Sequence, residues 1–183
     1  MMKRTTMLAA AFLAISATAQ ADQTMTIPGA LPSAKACESA WAGAQSPEAA
    51  ATVFIAALIT YQHDKTIARN CMARIVDNNY LSNGKLSHDL EYLIEVGIDR
   101  HAEIARSYVD GAVPDNGYSL PNGPWVIRFT RDQRFDLGKG QYRVKVYTSG
   151  QPSSRPITMR RDENGHYRIN EASTLFVGVA APR

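Results

Sequence analysis

The chain is poor in the residue patterns that carry chemistry. It has no Gly-x-Ser-x-Gly elbow, which removes the strained strand-to-helix turn that exposes a hydrolase serine. It has no phosphate-cradling glycine loop, since Gly138-Lys139-Gly140 joins two strand patterns and reads as a hairpin turn. Four histidines leave only three near clusters: His63-Asp64; His88-Asp89 with Glu91; and Asp99, His101 and Glu103. Neighbours two apart on a helix point away from each other, so each cluster reads as solvated helix surface and no metal site is expected. No catalytic residue and no cofactor is implied.

An excess of either charge is also missing. The chain holds 20 Lys and Arg against 17 Asp and Glu. Removing Lys3 and Arg4 with the leader described next leaves 18 against 17, a formal +1. That balance gives no reason to expect nucleic acid or a membrane surface as partner. Beyond the leader no apolar run is long enough to span a bilayer, so no integral membrane segment is expected.

Met1–Ala21 reads as an export signal: Lys3 and Arg4 form a positive start, Met7 to Ala17 an apolar run, and Ala19-Gln20-Ala21 a small-x-small cleavage site. Cleavage after Ala21 would leave 162 residues, the size of one domain, in the periplasm or the medium. Cysteine is scarce as well, with only Cys37 and Cys71. An oxidising compartment favours a bridge between them. The alternative is two separate thiols, with Cys71 packed on an apolar helix face.

Asp22 to Gln45 reads as a lead-in that Pro28, Gly29 and Pro32 keep irregular, with a short helix over Ser33–Trp41. Ser46 caps the first strong helix, Pro47 suits its first position, and Glu48 complements the positive end of the helix dipole. Ala50, Val53, Phe54, Ala57, Leu58 and Tyr61 form one apolar stripe. A second helix covers about Lys65 to Val76, with Ile67, Cys71 and Ile75 along one side. Ser87 caps a third, holding Leu90, Leu93, Ile94 and Ile98, and a last turn runs from Ile104 to Tyr108. Turn residues fill 110–124.

From Trp125 onward the period changes to two. Trp125, Ile127 and Phe129 alternate with Val126 and Arg128. Tyr142, Val144 and Val146 alternate with Arg143 and Lys145, and Ile157 and Met159 with Thr158 and Arg160. Asn164-Gly165 turns the chain into Tyr167, Arg168 and Ile169. Leu175, Phe176, Val177 and Val179 form a fifth strand on this reading. Helices over 46–109 followed by strands over 124–180 is the order of an α+β domain, with the helices on one face of a curved antiparallel sheet. The expected core holds Val53, Phe54, Leu58, Ile67, Leu90, Leu93, Ile94, Ile127, Phe129, Val144, Val146, Ile157, Met159 and Ile169.

Several segments together resemble a bacterial family known only as a domain of unknown function. They are Ser46-Pro47-Glu48, Ser107 to Tyr118, Arg155 to Met159, Gly165-His166-Tyr167, and Ser173 to Val179. The resemblance covers roughly residues 46 to 182. It implies one compact domain, helical then β, similar to the open cones of nuclear-transport-factor-2-like or cystatin-like folds. It carries no activity and no functional residue.

What remains is a patterned basic surface. Arg143, Lys145, Arg160 and Arg168 fall opposite the apolar positions of three strands and should share one sheet face. The bland reading is a solvated face; the sharper one is a docking surface for an acidic protein partner. The functional expectation is therefore a non-catalytic periplasmic binding domain, of accessory or immunity type. The alternative is a small-molecule enzyme or ligand-binding protein using a pocket in the cone.

Overall fold

A computed structural model describes residues 22–131 and 134–183. The expected export signal, Met1–Ala21, lies outside them. The chain is α+β, as its periodicity requires. Five antiparallel pairings make a six-stranded open sheet from β1 (Gln23–Ile27), β4 (Trp125–Thr130), β5 (Asp136–Gly138), β6 (Gln141–Val146), β7 (Arg155–Arg161) and β8 (Tyr167–Glu171). The order is β1-β4-β6-β7-β8, and β5 pairs with β6. A small hairpin, β2 (Leu81–Ser82) and β3 (Lys85–Leu86), turns at Asn83-Gly84, both at positive φ.

The helices α1 (Ala34–Ala42), α2 (Pro47–Thr60), α3 (Lys65–Ile75), α4 (His88–Leu93) and α5 (Ala102–Arg106) lie between β1 and β4 in the chain. Ser33, Ser46, Asp64 and Ser87 each cap a helix by accepting a backbone N–H, as the sequence predicts at Ser46 and Ser87. α2 corrects the expectation of a single stripe. All of its residues but Ala49 are buried, because α2 lies across the inner sheet face with α1 and α3 packed behind it. A helix apolar all round belongs inside.

Four more features depart from the sequence reading. The lead-in opens with β1, whose five residues pair in unbroken register with Trp125–Phe129; Pro28, Gly29 and Pro32 act only after it. The third helix changes to a π-helix over Ile94–Asp99. There Gly97 abuts Phe176, and a Cβ on Gly97 would sit 2.9 Å from the Phe176 Cβ. The fifth strand expected at Leu175–Val179 is instead a 3-10 turn, Ser173–Phe176. It buries Leu175 and Phe176 under the helices and leaves Val177 exposed. Of the expected core, Ile67 and Leu93 are only half-buried, each on the rim of its helix; the other twelve are buried.

Cys37 of α1 and Cys71 of α3 stand at disulfide distance, with Cα atoms 5.6 Å apart and no exposure. A bridge here closes a loop between residues 34 apart in sequence. Replacing both with serine is expected to cost about 3–4 kcal/mol in denaturant unfolding. An unchanged midpoint, or two thiols alkylated in the native protein, would show that no bridge forms.

Candidate functional site

Three strands carry the basic positions. In β6, Val144 and Val146 point inward with no exposure, so Arg143 and Lys145 take the outer face. The β6–β7 register sets Arg143 opposite Thr158, Lys145 opposite Pro156 and Gln141 opposite Arg160. The β7–β8 register sets Arg160 directly opposite Arg168. By alternation and register Arg143, Lys145, Arg160 and Arg168 fall on the same side of their strands, and Arg168, on the edge strand, also meets Trp41 of α1 and the Arg74 carbonyl of α3. Arg128 of β4 joins them, alternating with the buried Ile127 and Phe129. Its period-two signal was present in the sequence.

The electrostatics are less one-sided than four aligned cations suggest. Like charges directly opposite destabilise a sheet pair, and both members of the Arg160–Arg168 pair meet carboxylates. Arg160 Nη2 donates to Asp77 Oδ1 at 2.5 Å. Asp77 is only 3% exposed and also accepts from Asn78 N–H at 2.8 Å and Asn170 Nδ2 at 3.1 Å. Arg168 Nε donates to Asp162 Oδ2 at 2.9 Å, its Nη1 donates to the Arg74 carbonyl at 3.0 Å, and its guanidinium stacks 4.8 Å from the Trp41 ring centre. Burial alone would raise the Asp162 carboxyl, but hydrogen bonds from His166 N–H and Arg168 more than offset it and hold the group below the usual aspartate range. Arg128 lies 3.2 Å from Asp110 Oδ1 and over the Tyr147 ring at 5.3 Å. Arg143 and Lys145 are half-buried. Asp77 and Asp162 sit in connections between elements, so strand periodicity alone gives no sign that they reach this face.

At one end of the face, residues 107–111 meet β4 and the end of β6 around a notch of about 100 Å³, lined by Ser107, Asp110, Arg128, Tyr147, Thr148 and Ser149 among others. Its hydroxyls are committed to the fold. Ser107 Oγ donates to the Ile104 carbonyl at 2.7 Å and lies 2.6 Å from Thr148 Oγ1. Ser149 Oγ donates to the Ala112 carbonyl at 2.5 Å, and Tyr147 Oη donates to Asp22 at 2.9 Å. The notch is a seam that ties the segment over Ser107–Tyr118 to the sheet. Tyr108 and Tyr118 anchor the same segment from within, donating to the Leu175 carbonyl at 2.8 Å and the Ala180 carbonyl at 2.7 Å. Burial drives the Tyr108 phenol far above its ordinary pKa, so it stays a donor.

The inner face is filled. Phe54, Leu58, Phe129, Val144, Ile157 and Met159 have no exposure and belong to one core cluster between α2 and the sheet. Of the near clusters, Asp64 caps α3, and Asp99, Glu91 and Glu103 each meet a basic side chain. Lys65 Nζ donates to Asp99 at 2.7 Å, Arg69 Nε to Glu91 at 2.9 Å, and His101 Nδ1 lies 3.2 Å from Glu103 Oε1. Among the described residues no group of three or more His, Cys, Asp or Glu could hold a metal ion, and no helix is long and apolar enough to cross a membrane.

Sequence reasoning missed one buried ionic site. Glu48, placed from the sequence as a helix-dipole partner, has no exposure. It accepts from Arg131 Nε at 2.5 Å and Nη2 at 3.0 Å, and that guanidinium lies 4.0 Å over the Phe135 ring. Nothing in the spacing of 83 residues signals the pair.

Compared with known proteins, residues 26–183 match the model of a family described as a domain of unknown function (DUF6935). No curated protein and no solved structure matches the chain.

Proposed function

Since the chain belongs to this family of domains of unknown function, we propose from its own surface that it is an exported, non-catalytic interaction domain that receives an acidic protein partner on the outer face of its sheet. One observation carries the reading: Arg143, Lys145, Arg160 and Arg168, from three adjacent strands, fall on the same side of those strands. A sheet holds such side chains on a rigid frame, so little ordering is needed when a partner docks. Steering by the cations speeds association, and the effect weakens as salt rises. The carboxylates at Asp77 and Asp162 hold Arg160 and Arg168 in place while muting their charge, which suits a partner that binds at low ionic strength.

Export rests on the three-part leader at Met1–Ala21, and the buried cysteine pair at bonding distance suits an oxidising compartment. The filled inner face favours binding over the alternative of an enzyme in a nuclear-transport-factor-2-like or cystatin-like cone. In the accessory or immunity version of this role, the acidic partner is itself a secreted protein.

Capture from periplasmic extract at low salt is expected to recover an acidic protein with the wild type, less of it as salt is added, and none with the Arg143, Lys145, Arg160 and Arg168→Glu variant. Because reversal at Arg160 and Arg168 also sets charges against Asp77 and Asp162, the milder Arg143→Gln/Lys145→Gln variant is run beside it, with circular dichroism confirming the fold of both. Equal recovery by all three proteins would overturn the basic face as a binding site.

A further inference from the structure

The two ends of the main sheet are treated differently. At the β8 end, Val76 forms a parallel bridge with Ile169, and Asp77 N–H donates to the Ile169 carbonyl at 2.8 Å. That edge is covered by the chain's own backbone. β1 stands at the other end of the strand order, pairing with β4 on one side. Among the described residues no strand pairs with its far side. A free edge is a row of unsatisfied N–H and C=O groups, and natural sheets guard such edges with charge, proline or a bulge. Gln23-Thr24-Met25-Thr26-Ile27 has none of these: no charged residue, no Pro or Gly, and five consecutive pairs in unbroken register.

We propose that the free edge of β1 pairs antiparallel with the same edge of a second copy of this chain, joining two sheets across a two-fold axis at Met25. The strand is complementary to itself in that register. Gln23 meets Ile27 of the copy, Met25 meets Met25, and Thr24 meets Thr26 twice. In β1 the residues Gln23, Met25 and Ile27 pair with Phe129, Ile127 and Trp125, all buried on the inner side. A two-fold axis perpendicular to the sheet keeps both inner faces on one side. Met25, half-buried at the border of the core, then covers its own counterpart. On the outer side the exposed Thr24 and Thr26 form cross-strand threonine pairs, which favour strand association.

The neutrality of the strand selects the occupant. Isologous pairing sets the strand against its own copy, which carries no like-charge penalty only where the strand is neutral. The neutral edge offers nothing to attract an acidic chain, and a formal +1 after removal of the leader gives two copies little mutual repulsion. A five-residue edge is a small interface, so the dimer is concentration-dependent. This site is separate from the basic face and does not depend on its function. The dimer would set two such faces side by side on one continuous sheet.

Sedimentation equilibrium of the purified protein is expected to show a monomer–dimer equilibrium. Thr24→Lys/Thr26→Lys places like charges opposite one another across the axis and is expected to weaken the dimer at least tenfold, on the order of one like-charge penalty per pair. Thr24→Glu/Thr26→Glu does the same, and an equimolar mixture of the two variants is expected to dimerise again. Hydrogen exchange of the wild type provides a reading that needs no variant: amides of residues 23–27 gain protection as protein concentration rises. A wild type monomeric into the high micromolar range would overturn the proposal. So would concentration-independent exchange in β1, or failure of the mixed variants to associate.

Discussion

Phe54→Ala is expected to lower the unfolding free energy by about 3–5 kcal/mol, the range for truncating a fully buried aromatic ring. Phe54 has no exposure and sits on α2, which is buried on nearly every side between the inner sheet face and the other helices. Such a site has little room to collapse, because the elements around it are fixed by their own pairings. The helix–strand contacts of α2 reach β1, β6 and β8, so the cavity would open at the junction of both layers. For a chain of this length the loss corresponds to a fall in Tm of roughly 10 °C. Equilibrium denaturation in urea measures it directly. A loss under about 1 kcal/mol would mean that the layers close over the gap.

Arg131→Ala should cost a comparable amount, about 3–5 kcal/mol, by a different route. The substitution leaves the Glu48 carboxylate without the two hydrogen bonds that Arg131 gives it, in a place water does not reach. Breaking one side of a buried pair costs more than removing both. The Glu48→Gln/Arg131→Met double variant should therefore recover much of the stability lost in Arg131→Ala, and a double-mutant cycle by urea denaturation tests this. Equal stability of Arg131→Ala and wild type would show that Glu48 gains nothing from the guanidinium. Hydrogen bonding to the carboxylate also holds Arg131 more firmly in its charged form.

Much of the fold was legible because it rests on local periodicity. The alternation in Tyr142–Val146 and Ile157–Arg160 locates β6 and β7, and Ser46-Pro47 places the start of α2. The same alternation puts Arg143, Lys145, Arg160 and Arg168 on one side of their strands. β1 escaped notice because Gln23–Ile27 is short, largely polar and followed by proline and glycine; its strand state comes from pairing with β4 across about a hundred residues. The apolar run at Leu175–Val179 looks like a strand from its composition, yet it folds as a 3-10 turn so that Phe176 can pack against Gly97.

The sequence by itself determined the class of the fold, the helix starts and the sidedness of each strand, since these follow from spacing of 3.6 or 2 and from caps a few residues away. Only the tertiary structure decided which charges meet. Asp77 reaches Arg160 and Glu48 reaches Arg131 because separate elements are brought together by burial of apolar surface, which is not directional and leaves no pairing signal in the chain. The same holds for the sheet's two ends. Val76 covers β8 and nothing described covers β1, an asymmetry set by where α3 ends on the packed domain.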